Sequence, residues 1–288
     1  MPPRHPCVIV FAFTTMETAV SFAHDHNKRA WDERAKRGQV FARPASEEDI
    51  AKLAPKLATS PWLDGGVTNK RVLCLAAGGG RQAIQYAEAG AMVTVVDISP
   101  AMLELDRKVA AQRGLAVRVL EASMDDLSAL GDASFDIVIQ PVSTCYIPDI
   151  SKCYREVARI LVPGGIYSSQ HKQPTSLQTD TRIAPGGRGY EVQEMYYRAT
   201  PMPEVVGSIH REAGTIEYLH RWEQIIGGMC KAGFVIEDMI EPNHADEKAD
   251  PGTFGHRSRY VPPYVLLKAR RTGTPVKKKG LRLWTPRG

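Results

Sequence analysis

The residues with the clearest capacity for ligand chemistry lie between Val72 and Asp97. Val72-Leu73-Cys74-Leu75 reads as a buried strand, Ala76-Ala77-Gly78-Gly79-Gly80 as a turn of small residues, and Arg81 onward as a helix. Small residues let a backbone pass close beneath a ligand, and the N–H groups at a helix start can meet an anionic group such as a carboxylate or phosphate. Nineteen residues past Gly78, Asp97 closes the next apolar run. There a carboxylate can accept hydrogen bonds from both hydroxyls of a ribose. The pair predicts a dinucleotide or nucleoside cofactor. Gly78-x-Gly80-x-x-Ala83 also fits the dinucleotide fingerprint with a small third residue, so this segment alone leaves NAD open.

A parallel sheet wrapped by helices is needed to position these groups, and the alternation of apolar runs with helical patterns from Arg71 to Tyr167 predicts one. Strands are expected at 71–75, 92–96, 117–120, 135–139 and 166–169. Helices are expected at 81–89, at 99–112 with Ser99 as N-cap and Pro100 in the first position, and at 150–161, stopped by Pro163-Gly164-Gly165. Prolines and glycines then punctuate a stretch with Tyr190, Tyr196 and Tyr197. A helix at 217–232 and strands at 234–240 and 264–269 follow. Upstream, 25–37 and 47–57 read as helices. The expected organisation is an N-terminal extension (1–24), a helical cap (25–65), a domain at 66–270 with an insertion or acceptor lid at 172–214, and a basic tail (271–288).

The 288 residues, 43% hydrophobic and 24% charged, suit one elaborated α/β domain rather than a disordered or membrane chain. The net charge of +5 invites a nucleic-acid reading, but eight of the basic residues fall after position 267 with no acid among them; the body keeps 29 basic against 32 acidic residues, a charge of −3. The basicity therefore belongs to the tail, which argues against a nucleic-acid partner for the body. Five cysteines, with no CxxC pair and no zinc-ligand spacing, fit a reduced, cytoplasmic protein with no metal site. The apolar run 7–13 is too short to span a membrane and reads as part of an extension ahead of Met16.

The segments Asp97-Ile98-Ser99-Pro100-Ala101-Met102-Leu103, Met124-Asp125-Asp126-Leu127, Ser134-Phe135-Asp136-Ile137-Val138 and Leu161-Val162-Pro163-Gly164-Gly165 resemble, in that order and spacing, the successive motifs of class I S-adenosylmethionine (SAM)-dependent methyltransferases. The chain is also similar, over about 27–270, to a bacterial group sharing Leu-Cys-Leu-Ala-small-Gly-Gly-Gly, here Leu73 to Gly80. The likeness implies a doubly wound Rossmann-like sheet of seven strands with a reversed last strand. It implies that Gly78 and Gly80 admit the methionine end of SAM, that Asp97 holds the ribose, that Met124 lies against the adenine, and that Gln140 and Pro141 line the floor near the sulfonium. Ala76, Gly79, Ile98 and Met102 complete the expected cofactor contacts. Two departures stand out: Cys74 replaces the usual acid of the first strand, and Ser123 the usual acid before Met124, which shifts adenine recognition toward Asp125.

Methyl transfer from a sulfonium is an in-line displacement helped chiefly by alignment. His171 and Tyr146, at carboxyl ends of parallel strands, are the candidates for proton transfer or acceptor orientation, with His220, at the start of the late helix, a third whose alternative is a structural role. Trp31 is either a helix anchor or part of a lid. The expected activity is methyl transfer to a small or medium-sized acceptor. SAM binding without transfer, RNA methylation and NAD-dependent oxidoreduction are the alternatives.

Overall fold

The computed structural model describes residues 16–205 and 210–272. The apolar run 7–13 and nearly all of the basic tail lie outside the described residues. In chain order the elements are α1 (Met16–Lys36), α2 (Glu47–Ala58), β1 (Arg71–Leu75), α3 (Gln82–Glu88), β2 (Met92–Asp97), α4 (Pro100–Arg113), β3 (Val117–Glu121), β4 (Phe135–Gln140), α5 (Ile150–Ile160), β5 (Leu161–Lys172), α6 (Pro174–Gln178), β6 (Thr179–Ile183), β7 (Tyr190–Val192), α7 (Trp222–Lys231), β8 (Phe234–Ile240), α8 (Phe254–Ser258) and β9 (Tyr264–Arg271).

Seven strands form one sheet in the order β3-β2-β1-β4-β5-β9-β8. The first five are parallel and β9 runs antiparallel to both neighbours, which is the expected reversed last strand. Strand β1 sits centrally because it is apolar on both faces: Leu73 and Leu75 pack with Val138, Tyr154, Val157 and Met229, while Val72 and Cys74 pack with Ala83, Val93, Val95 and Ile137. The chain order reverses between β1 and β4, and an open α/β sheet binds ligands at that crevice.

Three boundaries differ from expectation. Helix α1 starts at Met16 rather than at 25, within the stretch expected as an extension. Pro163-Gly164-Gly165 does not separate a helix from a strand; Leu161 already pairs with Phe135, and the register shift before Ile166–Ile137 bulges these residues out of β5, with Gly164 at φ 80°. The late helix starts at Trp222 rather than at 217, because the preceding residues make tertiary bonds: Tyr218 N–H donates to Cys145 O at 2.7 Å and His220 Nε2 reaches Thr144 O and Ile147 O. The insertion carries its own small sheet of β6 and β7.

Helix α1 is fastened across the sheet by one buried side chain. Asn27 Nδ2 donates to Tyr146 O and Ile216 O, both at 3.0 Å, and its Oδ1 accepts the Ile216 N–H at 2.8 Å. Replacing Asn27 by Ala leaves three backbone groups unsatisfied and should cost on the order of 1–3 kcal/mol. Denaturant unfolding with hydrogen exchange checks it; full amide protection of α1 in the variant contradicts the fastening role.

Candidate active site

The carboxylate of Asp97 is the hub at the end of β2. Its Oδ2 accepts the Gly78 N–H and its Oδ1 the Ser99 N–H, each at 2.9 Å. Ser99 in turn caps α4 through Met102 N–H, as its position before Pro100 predicts. A carboxylate has about four acceptor positions, and with the Ile98 amide also against it Asp97 keeps acceptor capacity for a ligand. The turn is shaped for glycine. A Cβ on Gly78 would lie 2.8 Å from Met102 Cβ and 3.0 Å from Asp97 Oδ2, and Gly79 adopts φ +119°. Ala76, Gly78, Ile98 and Pro141 keep partial exposure at this end of the sheet, while Gly79, Gly80, Met102 and Met124 are buried behind them.

Two amides of the turn are engaged within the protein: Gly78 N–H is taken by Asp97, and Gly79 N–H is shared by Asp106 Oδ2 at 2.9 Å and Met102 O at 3.0 Å. Asp106, on α4, was not among the expected site residues, although it falls on the buried stripe of Met102, Leu103, Val109 and Ala110, where an acid signals an inward-facing charge. Burial raises the carboxyls of both aspartates, that of Asp106 to about 7, and their mutual repulsion adds to the Asp106 shift. The turn is thus backed by two acidic side chains, whose ionised forms disfavour a pyrophosphate and favour a cation.

Helix α1 and the segment between α1 and α2 reach this end of the sheet. Asp32 of α1 accepts from Ser99 Oγ at 2.6 Å and from Ala101 N at 3.1 Å. Ala45 N–H, between α1 and α2, donates to Gly80 O at 3.1 Å. His24 meets Asp125 Oδ1 at 3.2 Å, and Ser123 donates to the same oxygen at 2.5 Å. Asp125 is therefore already partnered where adenine recognition was expected of it. Gln140 is committed internally: it accepts from Tyr167 Oη and donates to Ser143 Oγ at 2.9 Å and Met124 Sδ at 3.2 Å, so it braces Met124 from behind the floor.

The acceptor side differs more from expectation. His171 is 1% exposed, with Nδ1 paired to Thr144 Oγ1 and Nε2 to Ser169 Oγ, both at 2.8 Å, so neither ring nitrogen is open to a substrate. His220 is locked on two backbone carbonyls, a structural role. Tyr146 packs edge-on against Trp31 at 5.7 Å and donates to Glu212 Oε2 at 2.8 Å. Glu212 belongs to a buried cluster: Lys172 Nζ binds Glu212 at 2.6 Å and Glu217 at 2.5 Å, and Arg211 also binds Glu217. Burial opposes charge on Glu212, but Lys172 outweighs it and holds the carboxyl below its ordinary value. A cavity of about 130 Å³ opens beside Lys172, between the insertion and β9. Tyr190 packs on His256 and Tyr260, Tyr196 accepts from Trp222 N–H, and Tyr197 is exposed; none adjoins the turn. A larger cavity of about 580 Å³, lined by Glu47, Glu88 and Arg113, touches none of the turn residues.

Comparison with known proteins is consistent with this geometry. The methyltransferase domain model matches residues 73–168, from β1 into β5. An uncharacterised methyltransferase of Bacillus subtilis, YbaJ, is 31% identical over 229 residues, covering 75% of this chain and 89% of that one. The chain belongs to the methyltransferase family. A solved S-adenosylmethionine-dependent methyltransferase of Mesorhizobium loti shares the fold of this methyltransferase with a TM-score of 0.62 at 24% identity, over 77% of this chain and all of that one. The geranyl diphosphate C-methyltransferase of Streptomyces coelicolor aligns with a TM-score of 0.57 at 15% identity, over 86% of this chain and 98% of that one. No described helix of the methyltransferase is long and apolar enough to cross a membrane.

Burial lowers His171 to about 3 and His220 to about 4. The unfolded chain takes up these protons near pH 6.5. The stability that neutral His220 contributes is therefore complete above about pH 6.5 and is lost as pH falls toward 4. His220→Gln, whose amide can still donate to a carbonyl, should flatten the fall of unfolding free energy in that window by up to about 1.4 kcal/mol per pH unit. Unfolding curves at stepped pH test this; parallel wild-type and variant profiles contradict it.

Proposed function

We propose that this methyltransferase carries the methyl group of S-adenosylmethionine to a small or medium-sized acceptor. One observation carries the choice of cofactor. The glycine turn is held by two buried acidic side chains, Asp97 and Asp106, which engage the Gly78 and Gly79 amides and in their ionised form set a negative field there. That surface suits an ammonium and a sulfonium, and it opposes the pyrophosphate of NAD. Asp97 would hold the ribose with its remaining acceptor positions, Gly78 and Ala76 would admit the methionine end, Ile98 and Met102 would lie along the ribose, and Met124 would face the adenine. The bound cofactor supplies the electrophilic methyl carbon.

The acceptor would enter between the cap and the insertion. Tyr146 is supported as an orienting group, since Glu212 takes its proton donor and fixes the ring while the phenol oxygen can still accept a hydrogen bond. Burial and the Glu212 charge raise the Tyr146 phenol well above its ordinary value, so it acts un-ionised. The charges of Lys172, Glu212, Glu217 and Arg211 pair among themselves, which suits a neutral acceptor. With His171 enclosed, the chemistry relies on alignment of an acceptor that is already nucleophilic. The −3 body favours a small molecule over RNA, and free buried thiols at Cys74, Cys145 and Cys153 suit a reducing, cytoplasmic setting. The Leu73 to Gly80 signature supports membership of the bacterial group that shares it.

Asp97→Asn keeps the shape of the side chain but removes charge and one acceptor. Affinity for SAM should fall at least about ten-fold. Calorimetric titration reads it, and wild-type affinity in the variant overturns the assignment of Asp97.

A further inference from the structure

The glycine turn rests on a carboxylate that ribose recognition does not require. Asp106 has no exposed surface; its Oδ2 holds the Gly79 N–H, the Gly80 amide also lies against the carboxyl, and its Oδ1 is buried without a hydrogen bond of ordinary geometry. An acceptor left unpaired in the interior is costly, so the orphan oxygen calls for an explanation. A carboxyl that carries its proton on Oδ1 meets part of that cost, because the neutral form is cheaper to bury.

We propose that Asp106 is a positioning residue that exchanges its proton for the positive charge of the cofactor, gripping the Gly79 amide more tightly when SAM arrives. The proposal rests on the SAM reading given above. In the protein alone, burial first and Asp97 next raise the carboxyl to about 7, so both forms are populated at neutral pH. The groups facing it are few. From β1 comes the Cys74 thiol, which burial pushes up and keeps neutral, with Tyr86 of α3 beside it. From β2 comes Asp97, on α4 itself Arg107, and α1 sets Asp32 against the first turn of α4. No cation is fastened to Asp106 among these groups in the described residues, so the arriving ammonium and sulfonium are the charges that favour its ionised form. The released proton passes to solvent. A charged acceptor strengthens the hydrogen bond from Gly79, which stiffens the turn around its ligand.

Asp106→Asn tests this, because its amide oxygen can still accept the Gly79 N–H while the titration is abolished. SAM is titrated calorimetrically into wild type and variant at pH 6 and pH 8, and the ratio of the two affinities cancels the titration of the cofactor's own amino group. The ratio should move in favour of wild type by about five-fold between the two pH values. An unchanged ratio overturns the proposal while leaving the cofactor reading intact; no SAM binding by wild type at either pH overturns both. Should the variant not fold, the Gly79 amide resonance of wild type decides. An inflection between pH 6 and 8 that moves to lower pH with SAM supports the exchange, and a flat titration overturns it.

Discussion

Burying two carboxylates beneath a glycine turn is the constraint from which the rest of this site follows. Asp97 closes β2 and Asp106 stands on the inner face of α4, so the strand, the turn and the helix must meet within hydrogen-bonding distance of both. The close approach excludes a Cβ at Gly78, and the φ of Gly79 excludes most other residues there. In the proposed reading the ionised carboxylates also select the ligand. A turn that has spent its amides on its own carboxylates has little to give a phosphate, which separates this site from the dinucleotide sites that share its spacing.

The cap and the insertion are coupled to that hub through a few polar links. Asp32 bonds the start of α4 next to Ser99, Asn27 ties α1 to the backbone beside Tyr146 and Ile216, and Tyr146 joins Glu212 and Lys172. The proposed cofactor and acceptor sides are therefore bridged by one helix. Closure of α1 over the turn and placement of Tyr146 depend on the same side chains, which gives a physical route by which one ligand can order the site for the other.

What could be read in the amino-acid sequence was what local rules determine. The run from Val72 to Gly80, the Ser99-Pro100 cap and Asp97 were legible because strand, turn and cap chemistry act within a few residues. The reversed last strand came from family resemblance rather than from pattern. Asp106 was visible in principle, four residues after Met102 on an apolar stripe, but its partner is the backbone of a turn from an earlier element. The Lys172 cluster was not visible: Glu212 and Glu217 lie 40 and 45 residues away in the chain. The late helix was read too long because Glu217 to His220 continue a helical pattern, whereas their bonds go to Lys172, Cys145, Thr144 and Ile147. His171 was expected at the chemistry because β5 ends near there, but the strand carries its side chain inward between two hydroxyls.

The central claim, that a carboxylate-backed turn selects a nucleoside cofactor bearing an ammonium group over a dinucleotide, is tested most directly by calorimetric titration of the protein with S-adenosylhomocysteine, which keeps that group, and, separately, with NAD at one salt concentration. S-adenosylhomocysteine is predicted to bind at about micromolar concentration and NAD to give no saturable heat. Saturable binding of NAD without S-adenosylhomocysteine would contradict the account.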